Sequence, residues 1–387
     1  MIYLDHAAST PVRDEVLQEM LPYFKESYGN PSSIHRYGRI ATKAIDAARK
    51  RIAEIIGAKP DEILFTSGGT ESNNTAIFGV MGQNKGHHMI TSTIEHDAVL
   101  EPCRRLEQQG CSVVYLKVDG AGTVDVEDLR KSITPDTALV SIMLANNEVG
   151  TIQPIKEISQ ICKQHNVLLH TDAIQAVGKI PVNVDDLGVD MMSISSHKIN
   201  GPKGIGALYI RRGVKLDPFV LGGGQENGMR SGTENVANIV GFGKACQIAR
   251  EALEENGAHL RELRDHLIEK TIKEISHVTI NGHKENRLPN NAHFTFLGVS
   301  GEDLIIKLDE HGIAASTGSA CSVRTQKASH VLMAMGFSHE QITGSLRLTV
   351  GLNNTVEEID RTVDVLKKVI PELRSVSPFK AKYGFTN

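Results

Sequence analysis

Two periods of apolar and polar positions alternate along most of this chain. Between about residues 60 and 210, short apolar runs at 63–65, 88–91, 113–116, 139–144, 167–169, 191–194 and 207–210 read as buried strands. Stretches with helical spacing, such as 155–162, lie between them, and this alternation predicts parallel βαβ units. Near the start, Thr10 before Pro11 resembles a helix start. Val16, Leu17, Met20, Tyr23 and Phe24 follow at helical spacing until Gly29-Asn30-Pro31-Ser32-Ser33. Further on, Leu260, Leu263, Leu267, Ile268, Ile272 and Ile275 mark one side of a long amphipathic helix, read as the passage into a second domain near residue 256. Beyond it the pattern predicts a helix over 302–311 stopped by Gly312 and a strand over 345–350. A last helix opens on Thr355 and Glu358, which have the spacing of a capping box.

Composition narrows the picture. A chain of 387 residues, 40% apolar, has material for two domains. Its 42 basic and 46 acidic residues are interspersed and leave a net charge of −4, so neither a nucleic-acid nor a membrane surface is expected. The amino terminus lacks a basic segment followed by a long apolar one, and no apolar run approaches the length of a membrane span. A soluble, unexported protein is expected. Five cysteines with no CxxC spacing suggest neither a disulfide framework nor a cysteine zinc site, and they fit a reducing cytoplasm.

In open α/β sheets, ligands bind beyond the carboxyl ends of the strands, so the residues that follow the apolar runs carry the candidate chemistry. Phe65 leads into Thr66-Ser67-Gly68-Gly69-Thr70-Glu71-Ser72-Asn73, a plausible phosphate cradle in which glycines let helix-terminal amides approach an anion. Other strand ends supply Glu95-His96, Asn146-Asn147-Glu148, Asp172-Ala173-Ile174-Gln175 and Ser195-Ser196-His197-Lys198. This set matches the needs of pyridoxal 5′-phosphate (PLP). Lys198 offers the amine for a Schiff base, Asp172 a carboxylate for the pyridine nitrogen, His96 a flat group for the ring, and Gln175 a donor for the phenolic oxygen.

At these residues the chain resembles a known family. It is similar to the class V aminotransferase-fold PLP enzymes, and within them to the cysteine desulfurases of the nitrogen-fixation and iron–sulfur-cluster type. The likeness runs through Leu4-Asp5-His6-Ala7-Ala8, Gly29 to Ser33, Thr66 to Asn74, Glu95-His96, 145–150, 172–175, 195–198, 222–234 and 318–321. It implies an α/β fold of the PLP-dependent aminotransferase-like type (fold type I). A large domain over 15–255 would hold a mainly parallel sheet, and residues 1–14 with 256–387 would form a smaller α+β domain bearing a mobile cysteine loop. The resemblance also implies that Gly69, Thr70, Ser195 and His197 hold the cofactor phosphate, with Thr233 reaching that of a neighbouring subunit in a homodimer. Asn147 would serve the phenolic oxygen and the substrate carboxylate.

The same resemblance makes Cys321 the persulfide-forming cysteine. Its surroundings, Ala315-Ser316-Thr317-Gly318-Ser319-Ala320-Cys321-Ser322, are small residues that suit a nucleophile that travels. In Ser345-Leu346-Arg347-Leu348-Thr349-Val350, period two separates Arg347 from the leucines, so its planar fork can face a cleft and clamp the α-carboxylate of L-cysteine. Lys198 would act as the base that moves the α-proton, with His96 a candidate proton acceptor. Arg324 and Lys327 depart from the small neutral residues of many relatives. An iron–sulfur scaffold protein is the implied sulfur acceptor. A selenocysteine-cleaving or amino-transferring enzyme of the same fold class remains the alternative, and the latter has no need of Cys321.

Overall fold

The structure, a computed structural model, describes residues 1–83, 86–318 and 328–378. Its strands are β1 (Ile2–Tyr3), β2 (Ile63–Thr66), β3 (His88–Ser92), β4 (Ser112–Leu116), β5 (Thr137–Ser141), β6 (Leu168–Asp172), β7 (Met191–Ser195), β8 (Gly206–Ile210), β9 (Val278–Asn281), β10 (Asn291–Phe296), β11 (Ile313–Ala314) and β12 (Ser345–Thr349). Seven of them form the central sheet in the order β2-β8-β7-β6-β5-β3-β4.

The strands are apolar on both sides, and period two sends alternate residues to opposite faces. Leu64, Met89, Leu139, Met191 and Leu208 pack with Ile77, Val80, Val99 and Leu106 from the helices Gly69–Met81 and Asp97–Gln108. Phe65, Ile90, Val140, Met192 and Ala207 join the other core, with Ile52, Ile158 and Phe242 from the helices Arg36–Ile55, Ile155–Gln164 and Val236–Glu251. A third cluster lies on the antiparallel sheet β12-β10-β9. There Phe294, Leu346 and Leu348 meet Leu263 and Leu267 of Leu253–Glu274, Leu304 of Gly301–Glu310 and Val363 of Val356–Ser375. Ile2 and Leu4 join that cluster, and β1 pairs with β11.

This is the expected α/β architecture with a mainly parallel sheet, but it departs from the sequence reading in detail. β8 runs antiparallel to both β7 and β2. Only residues 196–205 connect β7 to β8, too few for the helical crossover that a parallel return requires. Because β8 is the lone reversed strand, β2, β3, β6 and β7 still end at one edge.

Thr10 is not a helix cap: the first helix is Asp14–Met20, and the Thr10 hydroxyl donates to His197 O and accepts from Asn200 N, tying the amino-terminal segment to the turn that carries Lys198. Leu17 and Phe24 are exposed, and so is Ile272 in the long helix. At the last helix Thr355 Oγ1 accepts from Glu358 N, but the Glu358 carboxylate accepts from Asn354 Nδ2 at 2.8 Å, so only half of the capping box forms. Among the described residues, no helix is long and apolar enough to cross a membrane.

Candidate active site

The common edge of β2, β3, β6 and β7 gathers most of the residues singled out from the sequence. Asp172 is the last residue of β6 and is buried. Its Oδ2 accepts from Asn73 Nδ2 at 2.7 Å and its Oδ1 from Ile174 N at 3.0 Å. Burial pushes this carboxyl up, against the pull of Asn73, the Ile174 amide, His96 and Lys198. His96 caps the helix Asp97–Gln108, with Nδ1 accepting from Ala98 N at 3.0 Å, and burial lowers its proton affinity. Lys198 closes the short 3-10 turn after β7, where its Nζ donates to Ala7 O at 2.6 Å and Ala8 O at 2.7 Å. Gln175 Nε2 donates to the same Ala7 carbonyl at 2.9 Å.

A cleft of about 370 Å³ opens beside these groups, within the range of ligand sites. Gly69, Thr70, Ser195 and His197 line it together with Ser9, Ser67, Gly68 and Lys203. The helix Gly69–Met81 begins here; its first intrahelical bond runs from Ser72 N to Gly68 O, so the preceding amides have no intrahelical acceptor. His197 Nδ1 meets Ser9 Oγ at 3.3 Å, and burial with the neighbouring Lys198 and Lys203 lowers its pKa to about 4.

Thr233 does not line this cleft. It is exposed, in a loop anchored by the Arg230–Glu71 pair at 2.8 Å, so the loop is tied to the cradle through a residue other than Thr233.

Arg347 projects from β12 and is 2% exposed. Its Nη1 donates to Asn147 O at 2.8 Å and Gly318 O at 3.1 Å, and its Nη2 pairs with Asp5 at 2.8 Å. Arg347 Nε and Asn147 Oδ1 are buried with no hydrogen-bond partner among the described residues. Glu148, fully buried, accepts from Ser329 Oγ at 2.5 Å. Cys321, Arg324 and Lys327 lie outside the described residues. Of the four described cysteines, burial pushes Cys103 and Cys162 up to about 12 and raises Cys246 as well. Cys111 precedes β4, at the edge of the sheet opposite the cleft.

Sequence reasoning overlooked Asp5, Asn73, Glu148 and Lys179. The first three stand in motifs already singled out, but their roles depend on contacts between distant segments. Lys179 follows an apolar turn and carries no local signal.

The site suits PLP on its own chemistry. A buried carboxylate that forms no ion pair among the described residues favours a bound cation such as a protonated pyridine, and the cleft offers hydroxyls, helix-terminal amides and Lys203 to a phosphate. The Lys198 amine, held on the Ala7 and Ala8 carbonyls, completes the set. Fold and site together define the class, a PLP-dependent enzyme built on a mainly parallel α/β sheet.

Comparison with known proteins agrees. The class-V aminotransferase family model matches residues 2–362. "Cysteine desulfurase IscS" of Dictyoglomus turgidum is 54% identical over 99% of this chain and 98% of its own. A solved NifS-like protein superposes with a TM-score of 0.91 at 40% identity, covering 96% of this chain and 100% of that one. "SspA in complex with cysteine" follows at 0.81 and 38%, covering 90% and 99%. The chain belongs to the class-V aminotransferase family and, within it, to the cysteine desulfurases.

Proposed function

We propose that this protein removes sulfur from L-cysteine, releasing L-alanine and holding the sulfur as a persulfide on Cys321 before passing it to an acceptor. The observation that carries this reading is the position of Arg347: one guanidinium binds the carbonyls of Asn147 and Gly318, so a fork suited to an amino-acid carboxylate lies between the cofactor residues and the segment that leads to Cys321.

Bound PLP would supply an electron sink for the bonds at the substrate's α-carbon. Lys198 would be its attachment point and, once the substrate amine takes its place, would carry the α-proton on Nζ. Asp172 would hold a proton on the pyridine nitrogen, Gln175 would donate to the phenolic oxygen, and His96 would lie against the ring. Gly69, Thr70, Ser195 and His197 would bind the phosphate. Arg347 and Asn147 would orient the α-carboxylate. Cys321, as thiolate, would attack the substrate sulfur; a new S–S bond forms as the C–S bond breaks, and its electron pair stays with the carbon that becomes alanine's methyl group.

We further propose a homodimer, in which Thr233, exposed and away from its own cradle, serves the partner's phosphate site. A large unit over 15–255 and a smaller one formed by 1–14 and 256–387 accord with the separate cores, although the boundary then falls inside the helix Leu253–Glu274. The free thiols of the described cysteines fit a cytoplasmic location. An iron–sulfur scaffold protein is the acceptor we infer.

Incubation with L-cysteine should yield alanine and add the mass of one sulfur atom to Cys321, and Cys321→Ser should lose both. Alanine formation without that added mass would reject the persulfide, and full turnover of Cys321→Ser with an amino donor and a keto acid would favour aminotransfer.

A further inference from the structure

A second lysine is buried beside Lys198. Lys179 is 7% exposed, and burial together with Lys198 lowers its pKa to about 7. Lys198, His6 and His197 are the titratable groups coupled to it, and no acid is among them. Burying an amine with no opposing carboxylate among the described residues is unfavourable unless hydrogen bonds compensate.

Its hydrogen bonds supply a reason. Gly178, at φ +77°, reverses the chain after the turn that carries Gln175, and a Cβ there would stand 2.7 Å from Ile199 Cγ2. The Lys179 side chain then returns over the turn, and its Nζ donates to Gln175 O at 3.0 Å and Gln175 Oε1 at 3.5 Å. The opposite end of the same amide, Nε2, donates to Ala7 O, the carbonyl that also accepts from Lys198 Nζ. Lys179, Gln175, Ala7 and Lys198 thus form one continuous chain of polar contacts.

We propose that Lys179 is a positioning residue for the cofactor, holding the Gln175 amide with Oε1 inward and Nε2 turned toward Lys198 and the phenolic oxygen of PLP. Turning the amide over would set its NH2 against the donors of a protonated Lys179 and its Oε1 against the Ala7 carbonyl, so Lys179 and Ala7 O together favour one of two otherwise similar orientations. Only that orientation presents a donor to an ionised phenolic oxygen. The inference rests on the proposed role of Gln175.

A double-mutant cycle in cofactor affinity tests it. Apoproteins of the wild type, Lys179→Met, Gln175→Ala and the double variant are titrated with PLP, and the visible band of the bound cofactor is recorded for each. Each single variant should weaken PLP binding about tenfold, the size of one hydrogen bond to a charged group. The band should move in the same direction in both, and the double variant should bind no more weakly than either single one. Lys179→Gln, which restores a donor, should return the band toward the wild-type position.

Additive losses, with the double variant about a hundredfold weaker, would overturn the proposal, as would wild-type affinity in Lys179→Met beside a defective Gln175→Ala. Wild-type affinity and band in Gln175→Ala would instead reject the role given to Gln175. If Lys179→Met does not fold, Lys179→Leu runs the same cycle to the same decision.

Discussion

Arg347 shows how one side chain is committed several times over. Its alternation with Leu346 and Leu348 was legible in the sequence, and the structure does put the leucines in a core while Arg347 turns to Asn147, Gly318 and Asp5. What the sequence did not reveal was Asp5, held opposite the guanidinium at 2.8 Å from a point 342 residues away. Because the planar fork serves Asp5, two carbonyls and the proposed substrate together, a point charge on a flexible stem cannot replace it. Arg347→Lys should raise KM for L-cysteine by about tenfold or more while PLP affinity stays near wild type. Steady-state alanine formation with a parallel PLP titration checks this; an unchanged KM would remove Arg347 from the substrate site.

Among the elements, the cradle depends on a strand-to-strand approach. Thr66 pairs with Gly206 across β2 and β8, and a Cβ on Gly206 would stand 2.7 Å from Gly68 C and from Ile194 O. Both contacts are backbone, which cannot swing aside as a side-chain tip can. Gly206→Ala should therefore cost about 1–3 kcal/mol of stability and also weaken PLP binding, because the Gly68 turn must shift. Gly120→Ala, which meets nothing within 4 Å, should stay within about 0.5 kcal/mol of wild type. Urea midpoints and PLP titrations of both variants decide the matter, and equal behaviour would show that the turn is not clamped. The Gly-rich run announced a tight turn in the sequence. That β8 runs backwards to press on it was not legible, since strand direction follows from connection length and from which strands become neighbours.

For the whole molecule, buried titratable groups in and just beyond the sheet shape the pH response. Glu95 is fully buried; burial raises its pKa to about 8, although Ser92 Oγ and Met143 N both donate to its Oε1. With a folded value above the ordinary 4.5, its contribution is fully present below about pH 4.5 and is lost as pH rises toward 8. His170 works in the opposite sense. Held between Ser141 and Ser193 and lowered to about 3 by burial, it contributes above pH 6.5 and loses that contribution as pH falls toward 3. Glu95→Gln should thus gain on the wild type between pH 5 and pH 8, by up to about 1.4 kcal/mol per unit, whatever constant cost the amide carries. Urea unfolding at the two pH values measures the gap, and a gap that does not change would show that Glu95 is already ionised.

Local pattern by itself determined where the strands of the central sheet and some of the helices lie, because apolar period and turn residues act over a few positions. It also placed the amine, the carboxylate and the anion cradle at strand ends, because the carboxyl edge of such a sheet is where its loops converge. Tertiary structure alone decided that β8 is reversed, that Thr10 bonds to the Lys198 turn instead of capping a helix, and that Asp5, Asn73 and Lys179 belong beside the site. Each of these depends on contacts between segments far apart in the chain, and such contacts leave no period in the sequence from which they could be read.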